Sequence, residues 1–81
     1  MSALPKPNPD DWPACRWESD ALAQVLKYAV SLRYGYARTE EGYFLIRLDG
    51  TQVIAVPMSA YRENPLQAAR SLLQAINDDS E

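Results

Sequence analysis

Histidine is absent from this chain of 81 residues. The commonest general base near neutral pH, and the commonest metal ligand, go with it. Cysteine occurs once, as Cys15, so no internal disulfide can form and no paired-cysteine spacing suggests zinc. A single thiol fits a reducing, cytoplasmic setting. The three glycines, Gly35, Gly42 and Gly50, each fall where a turn is expected, and none is left for a phosphate-binding loop. No run approaches the roughly 18 consecutive apolar residues of a membrane helix. The opening MSALPKPNPDDWPAC also lacks the apolar stretch of a signal peptide. The expectation is a cytoplasmic chain with no membrane span, no metal and no cofactor.

Catalytic pairings are equally scarce. Cys15 has Arg16 beside it to favour the thiolate, but no histidine to assist it as a base. Glu40 and Glu41 are adjacent in a tight turn, where neighbouring side chains diverge, and Asp78-Asp79 belongs to a fraying end. No catalytic residue is assigned, and the expected protein is not an enzyme.

What is present is a chain with 47% apolar residues and a net charge of −3, an ordinary globular composition. The acidity is concentrated at the ends, in Asp10, Asp11, Glu18 and Asp20 and again in Asp78, Asp79 and Glu81. The centre is mildly basic, with Lys27, Arg33, Arg38, Arg47, Arg62 and Arg70 outnumbering its acids. That balance is unlike a strongly basic nucleic-acid binder.

Pro5, Pro7, Pro9 and Pro13 make residues 1–18 a proline-rich arm of extended geometry. Trp12 and Trp17 bracket its junction with the body, and are expected to fold back onto the domain or a partner. Leu22, Val25, Leu26, Ala29 and Leu32 form one helical stripe. The first helix is therefore expected from Ser19 or Asp20 to about Tyr34, closed by a left-handed Gly35. Three strands follow, at 35–39, 43–48 and 51–57. Asp49-Gly50 suggests a two-residue type I′ hairpin turn, and Thr39 to Gly42 makes the other turn. Asn64-Pro65 reads as a cap and first turn for a second helix. Its stripe is Leu66, Ala69, Leu72, Leu73 and Ile76.

The expected fold is α+β, a small single domain of order α-β-β-β-α, with a three-stranded antiparallel meander packed on two helices. The domain spans 19–78, and 79–81 is an acidic C-terminal end. This order is similar to that of double-stranded RNA-binding domains. Their binding rests on a lysine-rich start to the second helix. Here that stretch is Asn64, Pro65, Leu66, Gln67, Ala68, Ala69 and Arg70, so no RNA-contact residue is carried across.

A two-residue turn at Asp49-Gly50 pairs Leu48 with Thr51, Ile46 with Val53 and Phe44 with Ala55. The face with Phe44, Ile46, Leu48, Val53 and Ala55 then reads as the core. The opposite face holds Tyr36, Arg38, Tyr43, Leu45, Arg47, Gln52, Ile54 and Val56, and is the expected interaction surface. Three occupants fit it. The arm, through Trp12 or Trp17, can cover Leu45, Ile54 and Val56. A second copy or another protein can dock there, since exposed Tyr, Arg and aliphatic groups mark interfaces. Single-stranded nucleic acid can stack on Tyr36 and Tyr43, with phosphates on Arg38 and Arg47. The functional expectation is a protein-interaction module of the small bacterial or phage accessory, inhibitor or adaptor kind. Its partner is unidentified, self-association into a homodimer is one use of the face, and nucleic-acid binding is the alternative.

Overall fold

The computed structural model describes residues 4–14 and 18–80; Cys15 and the expected arm contact Trp17 lie outside them. Proline's fixed φ and missing donor suit a tight first turn. Pro9–Ala14 accordingly coils into a 3-10 helix rather than continuing an extended arm. Asn8 starts it, its Oδ1 accepting from the Asp10 amide at 3.1 Å and its carbonyl from Asp11 at 3.0 Å. The turn delivers Trp12 into the core, 2% exposed. Its indole N–H donates to Gln24 Oε1 at 3.3 Å.

Helix α1 runs Glu18–Ser31 and buries Ala21, Leu22, Val25 and Ala29. It ends earlier than expected. The Tyr34 amide donates to the Ala29 carbonyl at 3.0 Å and the Arg33 amide to Val30 at 2.9 Å. That crossed pair is a Schellman closure. The left-handed residue is Arg33, at φ 71°, and Gly35 instead opens the first strand. Closing at Arg33 puts Tyr34 just past the helix, where it packs against the core.

Strands β1 (Gly35–Thr39), β2 (Gly42–Ile46) and β3 (Gln52–Pro57) form an antiparallel meander in that order. Thr39 faces Gly42 and Tyr36 faces Leu45, so the first turn has two central residues, Glu40 and Glu41. Gly42 takes φ 149°, and a β-carbon there would collide with the Val56 carbonyl. The second turn differs from expectation. The Gly50 amide donates to Arg47 and the Arg47 amide to Thr51, both at 2.9 Å, giving the three-residue loop Leu48-Asp49-Gly50. Of the loop residues only Gly50 has positive φ, which excludes a type I′ turn. Phe44 still faces Ala55, but Ile46 faces Gln52 and Leu45 faces Ile54. Val53 is the extra residue of a bulge.

Helix α2 (Met58–Glu63) was not expected, and α3 follows as Pro65–Ser80. Asn64 joins them. Its amide closes α2 on the Ala60 carbonyl at 3.0 Å. Its Oδ1 accepts from the Gln67 amide at 3.2 Å, the N-cap expected at this position. α3 continues through Asp78 and Asp79 rather than fraying there.

The molecule is thus α+β, three α-helices and a three-stranded meander, but the sheet faces the helices the other way round. Tyr43 (8% exposed), Leu45 (0%) and Val56 (5%) are core residues with Val25, Leu72 and Ile76. Phe44 and Ile46 are half-buried, Ala55 is exposed, and Leu48 is 78% exposed. Of the expected core face, only Val53 packs against the core. The cause lies in β2, where Tyr43-Phe44-Leu45-Ile46 is apolar on both faces and alternation cannot choose between them. The choice is made by α2, whose Tyr61 ring lies 5.3 Å from that of Tyr43, tilted by 54°.

Candidate functional site

The expected interaction surface does not stay together. Tyr43, Leu45 and Val56 are buried and Ile54 is half-buried, so none offers an open face. Arg38 is exposed, with its guanidinium 5.9 Å from the centre of the Tyr43 ring. Gln52 is exposed at the start of β3. The arm does not lie over Leu45, Ile54 and Val56 as a separate cover; Trp12 joins their core through its packing beside α1.

Arg47 is engaged within the chain. Its Nη2 donates to Asp79 Oδ1, and Asp79 Oδ2 accepts from the Tyr34 hydroxyl. These two donors, Arg47 first, hold the Asp79 carboxyl below its ordinary range. The bond to Asp79 in turn raises the Tyr34 phenol. An aspartate in the last turn of a helix opposes the helix dipole, and Arg47 offsets that repulsion. The Asp49 carboxyl is also lowered, chiefly by its hydrogen bonds with Thr51.

Tyr36 of the expected set lines a mainly apolar groove, separate from the cleft of about 700 Å³ that Arg38 lines with Thr39, Glu40, Met58 and Arg62. α1 carries a second apolar row beside its buried stripe, Ala23, Leu26 and Val30, at helical spacing. Leu4 reaches this row from the arm, its amide donating to Ser31 Oγ at 3.2 Å. The Ser31 hydroxyl itself donates to the Tyr28 carbonyl at 2.6 Å. Tyr36 closes the other wall from β1. The result is a groove of about 790 Å³ between α1 and β1. Leu4, Val30 and Tyr36, 49%, 53% and 48% exposed, are three of the four exposed large apolar residues among those described.

Its electrostatics run against those of the whole chain. Lys27 and Arg33 line the groove and no acidic residue does, although the protein carries −3 overall. Neither cation has a carboxylate partner among the described residues. The left-handed closure at Arg33 sets its side chain at the groove's end. The sequence signal for this site was the spacing of Ala23, Leu26 and Val30, which the single stripe through Leu22 and Val25 obscured.

Among the described residues no group of three or more His, Cys, Asp or Glu side chains is placed to hold a metal ion. None of the helices is long and apolar enough to cross a membrane. Comparison with protein-family models, with curated proteins and with solved structures finds no match to this chain.

Proposed function

We propose that this chain is a non-enzymatic protein-interaction module of the inhibitor or adaptor kind, and that its docking surface is the α1–β1 groove. One observation carries the reading: the exposed apolar residues Leu4, Val30 and Tyr36 converge on a single concave surface. Exposed apolar groups scattered singly need no explanation, whereas a contiguous set in a groove is the usual form of a binding surface. The nucleic-acid alternative has less support, because Tyr43 is buried and Arg47 is engaged by Asp79.

The test compares wild type with Val30→Asp and Leu48→Asp as baits in extract of the cells that encode the protein. Any retained protein is then purified and its binding measured directly. Loss of that binding with Val30→Asp but not with Leu48→Asp is expected. Equal binding by wild type and Val30→Asp overturns the groove as the docking surface.

A further inference from the structure

The groove reading leaves the occupant open, and three further features narrow it. The first is the edge of the sheet. Both β1 and β3 are edge strands, but they are protected differently. β3 is bulged at Val53 and ends in Pro57, two devices that discourage strand addition. β1 is a regular ladder with no register shift and has no proline. All its residues are exposed except the half-buried Ala37. Alternate residues of such an edge direct their amides and carbonyls away from the paired strand.

The second feature is parity. Residues opposite each other on neighbouring strands point to the same face. Leu45, the partner of Tyr36, points into the core, so Tyr36 stands on the helix side of the sheet. Every second side chain of a strand added beside β1 would stand there too, in the groove between Leu26, Val30 and Tyr36.

The third feature is charge. Lys27 and Arg33 line the groove, and Arg38 is exposed on the edge strand itself. A second copy would bring the same groove lining, two cations and no carboxylate, to the shared interface. An acidic chain would meet them as complements.

We infer that the occupant is an extended, acidic segment of a partner protein, which adds to β1 as a fourth strand and sets alternate apolar side chains in the groove. This rests on the groove being the docking surface. Strand addition takes its affinity from main-chain hydrogen bonds and its specificity from pockets for alternate side chains, and this site provides both. A helical occupant would fill the groove but leave the β1 edge unpaired.

The experiment uses the full chain, immobilised, to select binders from a random-peptide library. The enriched peptides are then synthesised and titrated against wild type, Val30→Asp and the exposed double variant Lys27→Glu/Arg33→Glu. Thermal melts check that both variants fold, and Lys27→Ala replaces the double variant if it does not. Enriched sequences are expected to alternate apolar residues and to be rich in Asp and Glu. Charge reversal should weaken them about tenfold at low salt, with the difference shrinking at high salt. On binding, the outward amides of β1 should become protected from hydrogen exchange.

Enrichment of neutral or basic peptides, or of none, overturns the inference. So does tight binding with no protection of β1, which marks a helical occupant. A dimer by light scattering with β1 already protected, without peptide, assigns the edge to a second copy instead. If Val30→Asp abolishes binding and charge reversal leaves it unchanged, the groove stands and the acidic occupant falls. If Val30→Asp binds as wild type does, the groove itself falls.

Discussion

Arg47, one residue past the end of β2, donates to Asp79 in the last turn of α3. With Tyr34 on the second carboxylate oxygen, this contact ties the end of α1, the sheet and the end of α3 at a single carboxylate. The pairing has a definite pH signature. The Asp79 carboxyl is held low, so its contribution is complete above the ordinary carboxylate pKa of about 4 and is lost as pH falls through its lowered value. The Tyr34 phenol is raised, so its contribution is complete below about 10 and is lost as pH rises through its raised value. Melting temperature against pH should therefore decline at both extremes. Asp79→Asn should blunt the acid limb and Tyr34→Phe the alkaline one. Curves that superimpose on wild type would show that the contact carries no stability.

The inverted sheet is tested by neighbouring residues. Leu45→Ala removes a fully buried side chain and should cost about 2–5 kcal/mol in urea unfolding. Tyr43→Ala should likewise be costly. Phe44→Ala and Ile46→Ala, on the half-buried outer face, should each cost clearly less than Leu45→Ala. The reverse order would return Phe44 and Ile46 to the core.

Arg33 adopts a conformation that costs an L-residue about 1–2 kcal/mol and glycine almost nothing. Glycine's greater unfolded-state freedom takes back part of that difference. Arg33→Gly should raise stability by up to about 1 kcal/mol. A measurable fall in melting temperature would mean that the Arg33 side chain contributes more than its backbone strain costs.

Trp12 belongs to the folded body although it sits in the proline-rich segment. Trp12→Ala should destabilise by about 3–5 kcal/mol, as other large-to-small core changes do. Removing residues 1–13, and Trp12 with them, should lower the melting temperature. An unchanged melt after truncation would place the arm outside the cooperative unit.

Much of the architecture was legible because its boundaries are punctuated by residues with narrow conformational uses. Gly42 marks the first turn, Gly50 the second, and Asn64-Pro65 caps α3 where expected. The pairing of Phe44 with Ala55 was also readable. The facing of the sheet was not, because β2 is apolar on both sides and the deciding contact comes from α2. That helix has six residues and no side-chain cap at its start, so it leaves little periodic signal. The groove was half legible. Tyr36 stood in the expected surface, while Leu4 lay in the proline-rich arm, whose expected contacts were Trp12 and Trp17, and Val30 fell outside the buried stripe of α1.

Asn64 ends one helix with its backbone and starts the next with its side chain. A joint of one residue has no slack, so α2 and α3 cannot loosen independently. Because α2 carries the Tyr61 ring against Tyr43, the slack-free joint makes the start of α3 and the lid over the sheet a single cooperative unit. Local opening at Asn64 should therefore reach the middle of the sheet rather than stop at the helix end.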